Sequence, residues 1–203
     1  MRSVLTAGLC ALGLSASAQG YPLEDVLNLP QSSTLVFDRS ITLDPAMRQT
    51  VTDNLRDATY FGAFALHPST AYGYANEANS VAAAEASALR FCSDVSDYDG
   101  QCRIVARLLP KGVSPDNYPP ISPAISEGVI EVYGLNEQGF AAIASSGDGA
   151  WGSSLNGRDV EEAVQIAMDS CEEWRVSGDE TPLAGFPCEV VTVMHSDDEL
   201  PLR

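Results

Sequence analysis

Positive charge is scarce in this chain. Lys and Arg number 11 against 28 Asp and Glu, the formal net charge is −17, and Lys111 is the sole lysine. Such a surface repels phosphate backbones and anionic headgroups, which excludes nucleic acid and acidic membrane faces as partners. It suits solubility in a salty medium first, and a cationic partner second. Histidine is as sparse, with only His67 and His195. His67 stands beside Pro68 in a turn and reads as an exposed turn residue, and His195 stands at the start of the tail, so a Ser-His-Asp triad is not expected. A G-x-S-x-G elbow is lacking; Gly152-Ser153-Ser154 is not one. So is a glycine loop followed by a basic residue, since Gly147-Asp148-Gly149 reads as an acidic turn. No two cysteines stand at the close spacing of structural zinc sites. Beyond the N-terminus, no apolar run approaches the ~18 residues of a membrane-spanning helix.

What is there begins with an export signal. Met1-Arg2-Ser3 carries one positive charge, an apolar run follows from Val4 to Leu14, and Ala16-Ser17-Ala18 is a small-x-small cleavage site. That order predicts a signal peptide over residues 1–18 and a mature start at Gln19. The mature protein is then periplasmic or extracellular, with no membrane anchor. Cys10 lies inside the run behind Leu9, with too little apolar chain upstream for a lipoprotein cysteine. Roughly 185 residues remain, enough for one ordinary domain or two small ones, with a core that needs no staples.

Two stretches of equal length align without a gap, Phe61 to Cys92 and Phe140 to Cys171. Phe61/Phe140, Ala63/Ala142, Ala65/Ala144, Gly73/Gly152, Ala84/Ala163, Ala88/Ala167 and Cys92/Cys171 are among the identities, and Tyr72/Trp151 among the similar pairs. Two copies are too few for a solenoid and predict a pseudo-symmetric pair. In each copy a short apolar strand, a turn and a second strand precede a helix. Gly73 and Gly152 interrupt the second strands, which predicts a bulge or the close approach of another backbone. Ser80 and Asp159 are N-caps, and Asp159 with Glu162 has capping-box spacing. Val81, Ala84, Ala88, Leu89 and Cys92 fall on one helical face, as do their second-copy counterparts. A further helix is expected from Asp44-Pro45 to about Asp57.

The expected fold class is therefore α+β: two pseudo-symmetric β-β-α-β repeats, each preceded by a helix, in mainly antiparallel sheet. The organisation reads as an irregular segment over 19–43 with one short strand from Thr34 to Phe37, a first repeat over 44–108, a proline-rich linker over 109–121, a second repeat over 122–195 and a loose acidic tail over 196–203.

Without Cys10, four cysteines remain, which permits three disulfide connectivities in an exported chain. In each repeat one cysteine ends the helix and the next opens the following strand, so the repeat selects Cys92–Cys102 and Cys171–Cys188. Loops of roughly 11 and 18 residues each contribute ~3 kcal/mol by the chain-entropy argument.

Phe61-Gly62-Ala63-Phe64-Ala65, Ala88-Leu89-x-x-Cys92 and Cys102-Arg103-Ile104-Val105 resemble a family of small exported bacterial domains of unknown function. The second copy departs from the pattern at Ala141, where glycine is usual, and at Ala167-Met168. The resemblance implies no activity and no catalytic residues. Similar chains sometimes carry the label 5-aminolevulinate synthase. The residues here oppose it: that enzyme is a long cytosolic protein that holds pyridoxal phosphate on a lysine, and Lys111 lies in the linker of a chain with an export signal.

The paired glycines draw attention to Tyr72, Tyr74 and Trp151 beside them. Core packing is the plainer reading of these rings. If their strands meet at a pseudo-twofold interface, they line a groove for a protein, peptide or glycan. His195-Ser196-Asp197-Asp198 gathers ligand-type side chains, yet a loose tail does not preorganise them, so neither metal nor cofactor is expected. Glu161-Glu162 and Glu172-Glu173 read as solvated helix positions. The function expected is a non-enzymatic exported binding or envelope- and stress-associated module held by two disulfides. The alternative is an exported hydrolase using surface carboxylates or a histidine.

Overall fold

The computed structural model describes residues 20–30, 32–96, 101–112, 121–147, 149–177 and 185–199. The expected signal peptide with Cys10, and Pro115, Pro119, Pro120 and Asp148, lie outside the described residues. In chain order the elements are α1 (Leu23–Leu27), β1 (Ser33–Phe37), α2 (Pro45–Leu55), β2 (Phe61–Leu66), β3 (Tyr72–Ala78), α3 (Val81–Asp94), β4 (Arg103–Pro110), α4 (Pro123–Leu135), β5 (Phe140–Ser146), β6 (Trp151–Gly157), α5 (Val160–Ser177) and β7 (Cys188–His195). The strands form two antiparallel sheets, ordered β1-β4-β2-β3 and β6-β5-β7. The chain is α+β.

The helix starts follow from their caps. Asp44 Oδ1 accepts from Met47 N–H at 2.8 Å with Pro45 at the first helical position. Ser80 Oγ accepts from Ala83 N–H at 3.1 Å, and Asp159 Oδ1 from Glu162 N–H at 2.9 Å. The Glu162 carboxylate reaches back one residue further than a capping box requires. It accepts from Arg158 N–H at 2.8 Å because it also grips the Arg158 guanidinium at 2.9 Å. That partner holds the Glu162 carboxyl below its ordinary value.

Strands β2 and β5 are buried on both faces, and their alternation decides what covers each face. Ala63 and Ala65 of β2 pack with Ala84, Ala88 and Cys92 of α3. Phe64, between them, packs with Val51 and Leu55 of α2. In β5, Ala142 and Ala144 meet Ala163, Ala167 and Cys171 of α5, while Ala141 and Ile143 meet Ile125, Val129 and Val132 of α4. The α4 cluster also takes Val26 and Leu27 of α1, Tyr60, Phe61 and, from β7, Val191 and Met194. The halves thus share a core. Buried Asn79 crosses between them as well, its Nδ2 donating to Ser146 C=O at 2.6 Å.

Alanine on both sides lets helix and sheet come close, and the glycines mark the closest point. A Cβ on Gly73 would stand 2.2 Å from Cys92 N and 2.5 Å from Ala88 O. On Gly152 it would stand 2.3 Å from Cys171 N and 2.5 Å from Ala167 O. Of the two alternatives read from the sequence, close approach of a backbone is the one found. Beside these contacts the disulfides Cys92–Cys102 and Cys171–Cys188 form as expected, with Cα atoms 6.1 and 6.2 Å apart.

The halves agree in further detail at one constant offset in numbering. Left-handed backbone occurs at Tyr60 (φ 69) and Gly139 (φ 68), at Thr70 (φ 72) and Gly149 (φ 98), and at Glu77 (φ 55) and Asn156 (φ 55). The register of β2 on β3 shifts between Phe61 and Ala63, and that of β5 on β6 between Phe140 and Ala142. Thr70 is β-branched, and such a residue is strained at positive φ. Thr70→Gly is expected to stabilise the fold by about 0.5–1 kcal/mol, the strain relieved outweighing the extra freedom of the unfolded chain. A denaturant titration in which Thr70→Gly unfolds earlier than the parent would contradict that assignment of strain.

Several segments differ from expectation. The 19–43 segment is not irregular throughout: α1 packs on α4, and β1 pairs with β4 from Ser33↔Pro110 to Phe37↔Ala106. That pairing draws Leu109 and Pro110 into strand, although they read as the start of the linker. It extends to Lys111 N–H, which donates to Ser32 C=O at 2.9 Å. Ile121, at the other end of that linker, is fully buried. The tail is tied down at its start, where Ser196 N–H donates to Gly139 C=O at 2.9 Å.

Candidate functional site

Tyr72 and Tyr74 stand on β3, the last strand of its sheet. Gly73 between them turns toward α3, so the two tyrosines share the opposite face. Their rings stack on Phe64, with centroids 5.0 Å away for Tyr72 and 6.3 Å for Tyr74 and interplanar angles of 21° and 12°. Phe64 is fully buried, whereas each tyrosine remains 39% exposed. A buried ring therefore fixes two half-exposed ones. Such stacking adds about 0.5–1.5 kcal/mol per pair and removes rotamer freedom that a ligand would otherwise have to freeze.

Trp151 has the equivalent position on β6 but different surroundings. It packs against the α4 cluster, its indole lying where a Cβ on Gly128 would be 2.9 Å from the ring. α2 carries Thr50 five residues after Pro45, where α4 carries Gly128 five residues after Pro123. The missing side chain in α4 admits the indole. The three rings thus divide into a pair on Phe64 and a tryptophan docked under α4.

His67 is buried, 3% exposed, where an exposed turn residue was expected. Its ring folds back over its own turn: Nδ1 accepts Ser69 N–H at 3.1 Å and lies 2.7 Å from Ser69 Oγ. A nitrogen engaged in this way fixes a turn and is not poised as a general base. His195 belongs to β7, not to a loose tail, and stands edge-on to Phe140 with ring centroids 4.7 Å apart. Its backbone closes a turn with Asp198, whose Oδ2 accepts His195 N–H at 2.6 Å and whose N–H donates to His195 C=O at 3.0 Å. Tyr133 Oη donates to Asp198 C=O. Among the described residues no three His, Cys, Asp or Glu side chains converge as a metal site.

Glu172 is not merely a solvated helix position. Its Oε1 accepts Cys188 N–H at 3.2 Å, and its Oε2 takes Arg175 Nη1 at 3.0 Å. This carboxylate ties α5 to the strand start beside the second disulfide. A cleft between the halves is lined by Ser80, Ser145, Gly147, Phe186, Pro187 and Glu189, with a volume of about 90 Å³. That is well below the ~300–1,000 Å³ typical of small-molecule sites. Tyr21 lies near Glu189, and its hydroxyl pKa is raised by burial and by that carboxylate.

Sequence reasoning missed the part played by Phe64. An apolar residue between two alanines signalled only a buried strand, and its role under Tyr72 and Tyr74 depends on cross-strand register. No protein-family model, no curated protein and no solved structure matches the chain.

Proposed function

We propose that the mature chain is a non-enzymatic, exported binding module that holds a peptide, protein or glycan partner on Tyr72 and Tyr74. The observation that carries this reading is the pair of half-exposed rings fixed on buried Phe64. Tyrosine supplies a large apolar face and a hydrogen-bonding tip at low entropic cost, which suits a contact surface. The two disulfides and the order of the first eighteen residues support an oxidising address outside the cytosol. An envelope or stress-associated role fits the same address. The equivalent ring, Trp151, is spent on packing and belongs to the scaffold of this reading.

Peptide and glycan arrays probed with the mature protein test it. A Tyr72→Ala/Tyr74→Ala double variant is expected to lose at least about tenfold in affinity for whatever the parent retains while remaining folded, the two lost stacks costing about 1–3 kcal/mol of stability. Trp151→Ala is expected to cost stability and spare binding. Equal retention by parent and double variant would remove the tyrosines from the site.

A further inference from the structure

Resting on that reading, we propose that the outer edge of β3 is a strand-acceptor site that takes an extended, cationic peptide segment, with Tyr72 and Tyr74 gripping its side chains. The backbone geometry carries the proposal. Along an antiparallel strand the N–H and C=O groups of successive residues point alternately toward and away from the neighbour. His67 N–H donates to Ala71 C=O at 2.8 Å, so Ala71 turns toward β2, as does Gly73 opposite Ala65. The N–H and C=O of Tyr72 and Tyr74 therefore point away from the sheet. Among the described residues no strand lies beyond β3. The same two residues thus offer ladder groups at the edge and fixed aromatic faces beside it, the combination that strand-addition sites use for affinity and selectivity.

The edges of the second sheet are less suited. On β7, Val191 C=O already accepts Tyr21 N–H at 2.7 Å, and the Asp198 turn takes both backbone groups of His195. On β6 the equivalent ring is drawn under α4. The β3 site also has an end: Glu77, at φ 55, carries the backbone out of strand geometry, so pairing is confined to the tyrosine end.

Charge selects the occupant. The chain carries a net charge of −17, and Glu77 is exposed at the end of the acceptor strand. A second copy would bring like charge to like, whereas a peptide rich in Lys or Arg meets its complement.

The probe is a synthetic peptide alternating lysine and valine, with a glutamate–valine peptide as its counterpart, measured by fluorescence anisotropy. The parent is expected to bind the first and not the second, more weakly as salt rises. Tyr74→Ala removes a ring and keeps the outward N–H, while Tyr74→Pro removes both, at an edge position where proline is tolerated. The proline variant is expected to bind about tenfold more weakly than the alanine variant, the worth of a lost ladder bond. As a readout independent of folding, N-methylating alternate peptide positions is expected to abolish binding in one phase and spare it in the other. No binding of the lysine–valine peptide by the parent overturns the proposal. So do equal affinities of the two Tyr74 variants together with indifference to the phase of methylation. Light scattering that shows a dimer dissociated by Tyr74→Pro would assign the edge to a second copy and overturn the peptide. Loss of array binding in the double tyrosine variant, with no effect of proline or methylation, would leave the binding-module reading standing and remove strand addition alone.

Discussion

Gly73→Ala or Gly152→Ala is expected to cost about 3 kcal/mol or more, a large share of the ~5–15 kcal/mol by which a domain is typically stable. The added methyl would enter a space held by backbone atoms: Cys92 N and Ala88 O in one half, Cys171 N and Ala167 O in the other, all within 2.5 Å. A side chain in the way can turn aside, but a helix backbone has to move as a body. Here the helix is also tied to the sheet by a disulfide at the same residue, Cys92 or Cys171. Gly134→Ala is the matched control. It stands in α4 with nothing within 4 Å of the added carbon, and it is expected to be neutral or to stabilise by up to about 1 kcal/mol. Urea unfolding of the three variants decides the matter. A Gly73→Ala midpoint close to that of the parent would mean that α3 can lift off the sheet at little cost.

Removing either disulfide is expected to cost about 3 kcal/mol, and the two losses should agree to within about 0.5 kcal/mol. The closed loops differ in sequence separation, 10 residues against 17, and loop entropy grows only with the logarithm of length. Paired alanine variants, Cys92→Ala/Cys102→Ala and Cys171→Ala/Cys188→Ala, avoid leaving a lone thiol. Local structure breaks the tie in one direction. Glu172 also holds Cys188 N–H, so the second helix and strand stay joined after the bridge has gone. The variant lacking Cys171–Cys188 should therefore lose no more than the variant lacking Cys92–Cys102. A clearly larger loss in the second half, read from the same unfolding curves, would show that Glu172 does not carry that role.

Much of this fold was legible because its signals are local. Asp44, Ser80 and Asp159 announce helix starts through side chains that bond within three residues. The cysteine pairs and the paired glycines were readable because the two stretches repeat them in the same order. What escaped was decided at long range. Thr34 to Phe37 read as a strand but do not name β4 as its partner, and that choice is what turns Leu109 and Pro110 from linker into sheet. His67 beside Pro68 has the composition of an exposed turn, and its burial follows from how the ring folds over Ser69. At the candidate site the tyrosines were visible and their support was not, since only the register of β2 against β3 puts Phe64 behind them.

The α4 core cluster joins Val26 and Leu27, among the earliest described residues, to Val191 and Met194 on the last strand. A ribosome delivers those two segments at well-separated moments of synthesis, and a chain emerging at about 5–20 residues per second takes on the order of ten to thirty seconds between them. Until β7 has emerged, α1 and α4 lack part of their floor, and the apolar face they would cover stays open. The chain is thus denied a complete core while it is being made.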